Sequence, residues 1–252
     1  VITAAALMSW PLAGCLGSQG SDPLQPLPSG GTHVLFIGNS LTYVNDLART
    51  VADLAALSGD TVRVASVAFP DFALEDHAAQ GDAVKAISLG GWHYVVLQQG
   101  PSSVEANRQN LIAETRYFDG LIRAKGGRTA LYMVWPQLVN FDTFARTVES
   151  YQLAAQAVNG LLLPGGAAWL AAWAKDSTLQ LYSADGLHPT ALGTYLVALV
   201  MYERFTGKDA RNLPKSVVVA GTTITVADAT VRLLQTAAHE TNQLSPTAKV
   251  RN

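Results

Sequence analysis

Val34-Leu35-Phe36-Ile37-Gly38-Asn39-Ser40-Leu41 is an apolar run that ends on a glycine and then delivers a serine. Such a run, bounded by a glycine, suits a strand buried on both faces, as in a parallel sheet. Ligands bind parallel sheets beyond the carboxyl ends of the strands, so a serine directly after the first strand arrives at the mouth of a site. Gly38 permits a backbone turn that a bulkier residue would resist, and the helix expected next turns its free N–H groups toward Ser40. Taken alone, Gly-x-Ser-Leu also fits a serine that only caps a helix.

Outward from this stretch, short β-type runs alternate with amphipathic ones. Strands are expected at His33 to Ile37, Thr61 to Val67, Tyr94 to Gln98 and Arg128 to Val134. Between them, apolar residues recur at three- and four-residue spacing, which predicts helices at about 44–58, 74–89, 104–125 and 142–158. That alternation implies βαβ units, a parallel sheet and helices on both of its faces. Leu161 to Ala174 fits a fifth strand running into a turn of helix, with open boundaries. Ala191 to Phe205 is a strongly apolar helix with Gly207 at its C-cap. Val217 to Val226 resembles a small hairpin, and Ala227 to Gln243 a terminal helix.

Composition narrows the function. In 252 residues, 49% are apolar and 14% charged, enough to fill a large core. A net charge of -2 leaves no basic footprint for nucleic acid. The single cysteine excludes an internal disulfide, and no Cys/His cluster has metal-ligand spacing, so no metal is expected.

That cysteine, Cys15, ends Leu12-Ala13-Gly14-Cys15 after an apolar run from Val1, and the stretch resembles a bacterial lipobox. The resemblance implies export, with a lipid on Cys15 holding the protein at the surface of a membrane of the cell envelope. Such signals begin with Lys or Arg, whereas the first charged residue here is Asp22, and an ordinary small residue in a leader is the other reading. The chain divides into a signal-type segment at 1–15, a Gly/Ser/Pro-rich linker at 16–32 and one domain at 33–252.

A second motif is Tyr182-Ser183-Ala184-Asp185-Gly186-Leu187-His188-Pro189-Thr190. A histidine acts as general base when its other nitrogen is held by an acceptor, and an Asp three residues earlier on a tight loop can supply it. Pro189 is expected to open the next helix, where its missing N–H is harmless. By itself the Asp-x-x-His pair also fits a surface turn.

Together, Gly-Asn-Ser-Leu early and Asp-Gly-Leu-His-Pro late resemble the first and last sequence blocks of the SGNH/GDSL hydrolases, over about His33 to Pro214. The resemblance implies a three-layer α/β/α flavodoxin-like fold with a central parallel sheet of about five strands. It also implies a cofactor-free serine esterase with Ser40 as nucleophile, His188 as base and then acid, and Asp185 orienting the imidazole. Asn39 stands where the GDSL name has Asp.

Ester hydrolysis needs donors for an oxyanion. In this family they are the serine N–H, a Gly N–H after the second strand and an Asn side chain after the third. Here the second place falls in Ala68-Phe69-Pro70-Asp71-Phe72, which has no Gly, so the Asp71 N–H is the candidate. The third falls in Gln98-Gln99-Gly100, resembling sialate-type and other carbohydrate acetylesterases that carry a Gln near this point. Strand alternation lets one of Gln98 and Gln99 reach the site, and both could instead serve loop backbone. Trp135 either lines the pocket or belongs to the core. His33, His77, His93 and His239 are read as structural.

The implied substrate is an O-acetyl ester on a carbohydrate, with a lysophospholipid or another short ester as alternatives. A non-catalytic carbohydrate-binding or scaffold lipoprotein on the same fold is the rival from another class.

Overall fold

The computed structural model describes residues 23, 25 and 27–244. The signal-type segment, Cys15 and much of the linker lie outside the described residues.

The strands are β1 (Thr32–Gly38), β2 (Val62–Ala68), β3 (Tyr94–Leu97), β4 (Arg128–Tyr132) and β5 (Leu161–Leu163). They form one parallel sheet of five strands in the order β2-β1-β3-β4-β5, as expected for this fold class. The helices are α1 (Ser40–Tyr43), α2 (Leu47–Leu57), α3 (Leu74–Gln80), α4 (Asp82–Ser88), α5 (Glu105–Ala124), α6 (Phe144–Ala157), α7 (Gly165–Lys175), α8 (Ala191–Thr206) and α9 (Asp228–Leu244). Helices α2, α7, α8 and α9 pack as one group and α3, α4, α5 and α6 as another, giving three layers. Val34 to Ile37 are fully buried, as a run covered on both faces must be.

The strand order decides where a site can form. From β1 the chain crosses to β2 on one side and returns to β3 on the other, so the crevice at the carboxyl ends of β1 and β3 is a topological switch point. Ser40 follows β1 and Gln98 follows β3, with Ile37 paired to Leu97.

Several expected elements are broken. The helix expected from 44 begins as a single 3-10 turn, Val44–Asp46, because Asn45 and Asp46 have φ of 56° and 45°. Asp46 then caps α2 by accepting from the Arg49 N–H at 3.3 Å. The helix expected over 74–89 is split by Gly81 at φ 93°, whose N–H bonds to the His77 carbonyl as a left-handed cap. Leu161–Leu163 is the fifth strand and α7 follows it directly.

Pro189 does not open α8: Thr190 is the N-cap, its hydroxyl accepting from Gly193 N–H at 3.2 Å, and Pro189 lies outside the helix. Gly207, at φ 71°, closes α8 as expected. The hairpin is β6 (Val217–Val219) and β7 (Thr222–Ile224), turning at Ala220 and Gly221, both with positive φ. Among the described residues no helix is long and apolar enough to cross a membrane.

Candidate active site

Ser40 is the first residue of α1, capped by Asn39, whose Oδ1 accepts from the Leu41 N–H at 3.1 Å. The Asn39 Nδ2 donates to the Phe72 carbonyl at 3.0 Å, stapling the loop after β2 to the serine turn. An Asp here would set a carboxylate against that carbonyl, which is a physical reason for the amide.

Gln98 is fully buried beneath this turn. Its Oε1 accepts from Asn39 N–H at 2.8 Å and from Thr42 Oγ1 at 2.7 Å. Its Nε2 donates to Asn39 Oδ1 at 2.9 Å and to the Gln99 carbonyl at 2.7 Å. Both amide protons are thus committed inward, so the expectation of Gln98 as an oxyanion donor is corrected: it locks the serine turn from below. A Cβ on Gly38 would lie 2.3 Å from Gln98 Oε1 and 2.4 Å from Thr42 Oγ1, so the glycine is required by this close packing.

Gln99 faces the other way, into a cavity of about 490 Å³ that Ser40, Asn39 and Asp71 also line. Its Nε2 donates to Ser102 Oγ at 2.9 Å and, at 3.5 Å, to the Asn107 carbonyl. Tyr151, buried on α6, braces this rim by donating to the Gln99 carbonyl at 2.7 Å, and burial pushes its phenol well above the ordinary range. Ser150 adds a bond from its Oγ to the Ser102 carbonyl at 2.7 Å.

Asp71 has φ 59° in a turn with Pro70 ahead of it and Phe72 N–H bonded back to the Phe69 carbonyl at 3.4 Å. Proline second and positive φ third is the pattern of a type II turn, and Asp tolerates that third place better than most residues. The missing glycine of this loop is thereby accounted for: Asp71 adopts the backbone conformation that a glycine favours.

The Asp185–His188 loop is held on every side. Asp185 Oδ2 lies 2.6 Å from His188 Nδ1, while Oδ1 accepts from Leu187 and His188 N–H, each at 2.9 Å. These bonds, that from His188 first, hold the Asp185 carboxyl down to about 2. Among the described residues the buried His188 Nε2 has no hydrogen-bond partner, so it makes no bond with Ser40 Oγ in this structure. Gly186, at φ 67°, makes the turn, and its carbonyl accepts from Leu138 N–H at 2.8 Å.

Trp135 is corrected to a core residue. It is fully buried, stacks on Trp169 with ring centroids 3.5 Å apart and donates from Nε1 to the Leu187 carbonyl at 2.9 Å, leaving Pro136 to line the cavity.

Asn45 joins the two distant motifs. Its Nδ2 donates to the Pro189 carbonyl at 2.9 Å and to Thr194 Oγ1 at 3.0 Å, across 144 and 149 residues. The residue after His188 is therefore clasped to the segment just past Ser40. Its left-handed backbone was hidden in the sequence within an expected helix.

His77 is structural, as expected. It is fully buried on α3, with Nε2 2.8 Å from the Gly38 carbonyl and Phe69 and Phe72 around its ring. Burial pushes its imidazole below the ordinary value, the bond to Gly38 opposing this only in part. A histidine kept neutral in the fold contributes stability above the unfolded value of about 6.5, and that contribution is lost as pH falls from there until the folded imidazole also protonates. Urea midpoints measured from pH 8 to pH 5 are expected to fall in the parent and to fall less in His77→Gln. Parallel pH curves for the two proteins would refute this.

Among the described residues, Glu203, Asp209 and His239 have ligand atoms within 4.8 Å of one another, but they already pair, His239 Nδ1 lying 2.7 Å from Glu203 Oε1 and Asp209 being gripped by Arg211 at 2.6 Å. The Glu203–His239 contact bridges α8 and α9.

No family model and no curated protein matches the sequence. Solved structures do match. A protein from Slackia heliotrinireducens described as an SGNH hydrolase is 27% identical, with a TM-score of 0.59 over 69% of this chain and 99% of that one. A DUF4886 family protein from Bacteroides uniformis gives a TM-score of 0.70 at 18% identity, over 84% and 95% of the two chains. A catalytic mutant of an acetylxylan esterase from Geobacillus stearothermophilus gives 0.54 at 15% identity, over 72% and 97%. At those lower identities the last two speak for the fold.

Proposed function

This chain is a member of the SGNH/GDSL hydrolase superfamily, and from that premise we propose that it is a serine esterase working through Ser40, His188 and Asp185. What supports the proposal is the clasp by Asn45, which ties Pro189, the residue after His188, to the segment just past Ser40, while Asp185 lies against Nδ1 of His188.

In the proposed reaction Ser40 Oγ attacks the ester carbonyl and its proton passes to His188 Nε2. The tetrahedral intermediate collapses as His188 returns that proton to the departing alkoxide, leaving an acyl-serine. Water then attacks the acyl carbonyl while His188 takes its proton, and His188 returns that proton to Ser40 Oγ as the serine–acyl bond breaks and the carboxylic acid leaves. Asp185 stays ionised throughout and steadies the imidazolium. The oxyanion would be met by the N–H groups of Ser40 and Asp71, and Gln99 could add a third donor by releasing its long bond to Asn107.

For substrate we favour O-acetyl groups on a carbohydrate. Amides and hydroxyls of Asn107, Asn110, Gln137, Asn140 and Thr143 line the cavity around Ser40, groups suited to the hydroxyls of a sugar. The lipobox-like Leu12-Ala13-Gly14-Cys15 supports export and attachment to a membrane surface, and mass spectrometry of membrane-extracted native protein would find a lipid on Cys15 or exclude it.

The test is hydrolysis of p-nitrophenyl acetate by purified protein together with fluorophosphonate labelling. Turnover with the label on Ser40 is expected. A protein that neither turns over the ester nor takes the label would be a non-catalytic member of the fold.

A further inference from the structure

Among the described residues, the ionisable side chains lining the cavity around Ser40 are two carboxylates, Asp71 and Glu75, with no Lys, Arg or His on its walls. Neither carboxylate takes part in any ion pair among the described residues. Glu75 is steadied from one side, its Oε2 accepting from Asn110 Nδ2 at 2.9 Å. Its charge is felt by Glu114 on the neighbouring helix, whose carboxyl is raised by burial first and by repulsion from Glu75 second.

A first-turn acid can serve its own helix. In α3, however, that place is taken by Asp76, whose Oδ2 accepts from the Ala73 N–H at 2.8 Å. The Glu75 carboxylate is left to the cavity.

Resting on the esterase reading, we infer that Asp71 and Glu75 are specificity residues that turn away esters carrying a carboxylate or phosphate near the scissile bond, and that the substrate class is a neutral or amino-bearing glycan ester. Anionic substrates would meet unneutralised charge on entry, whereas neutral polyols meet amides and hydroxyls. A lysophospholipid and an acidic-sugar ester, both bearing anionic groups, fall outside this class.

The experiment compares three acetyl esters of matched shape: methyl p-acetoxybenzoate, p-acetoxybenzoate and p-trimethylammoniophenyl acetate. Each kcat/KM is divided by that ester's own hydroxide rate. The order cationic over neutral over anionic is expected, spanning about tenfold at low salt, since two carboxylates a few ångströms from a unit charge each contribute about fivefold or less even at the dielectric of water. The span should shrink in high salt and close in the double variant Glu75→Gln, Asp71→Asn. Asn keeps the Asp71 N–H and tolerates its positive φ.

The salt series on the parent protein needs no variant to fold. No charge order in the parent, or an order unchanged by salt and by the double variant, overturns this inference while turnover of the neutral ester and a labelled Ser40 leave the esterase reading intact. If none of the esters turns over and Ser40 stays unlabelled, the esterase reading fails and this inference falls with it.

Discussion

Ser40→Ala is expected to lower ester hydrolysis by at least about three orders of magnitude with little change in melting temperature. The activity loss follows from removing the attacking oxygen. The fold should survive because Ser40 sits half-buried at the cavity wall, and the bonds that build its turn come from Asn39, Thr42 and Gln98 instead. A sharper form of the same prediction uses non-additivity. If Ser40 and His188 act as one unit, Ser40→Ala combined with His188→Ala loses no more than Ser40→Ala alone. Steady-state kinetics on p-nitrophenyl acetate would decide this. Losses that multiply, or a Ser40→Ala protein with parental turnover, would remove the serine from its proposed role.

Gln98→Leu is expected to cost about 3–5 kcal/mol, because it strands the Asn39 N–H and the Thr42 hydroxyl in a buried place at roughly 1–3 kcal/mol each and disturbs the packing around them. Asn39 Oδ1 and the Gln99 carbonyl suffer less, since Leu41 N–H and Tyr151 Oη still donate to them. For a domain of this size each kcal/mol shifts the melting temperature by about 2–4 °C, so a fall of around 10 °C is expected. Activity should fall further than stability alone explains, measured well below the melting point, since the bonds lost are those that aim the serine turn. Scanning calorimetry with kinetics checks both. A variant that melts with the parent and keeps its turnover would show that the buried amide neither holds nor aims the turn.

The parallel sheet was legible because a strand covered on both faces writes itself as a continuous apolar run, and Val34 to Ile37 and Tyr94 to Leu97 do so. Amphipathic spacing located the long helices to within a few residues. The breaks at Asn45, Asp46 and Gly81 were less visible: a residue with positive φ is a choice of backbone, and Asn45 makes it because its side chain is wanted by Pro189 and Thr194 far along the chain.

The Asp185–His188 pair was readable for a related reason. Asp185 and His188 interact over three residues, so their spacing carries their geometry. The surroundings of Ser40 were not so readable. Gln98 and Gln99 are neighbours of the same type, and which one is locked inward follows only from β1 and β3 lying side by side, with Ile37 opposite Leu97. Trp135 turned out to be core because α7 presents Trp169 to it. His77 gained its partner because the α3 layer lies against the end of β1.

By itself, then, the chain of residues determined the α/β layering, the strand that delivers Ser40 and the local Asp185–His188 pair, all of them consequences of short-range periodicity and turn chemistry. Tertiary structure alone decided the clasp between Asn45 and Pro189, the inward lock of Gln98 and the acidic character of the cavity wall. Those depend on which segments the strand order makes neighbours, and contacts across dozens of residues leave no periodic trace along the chain.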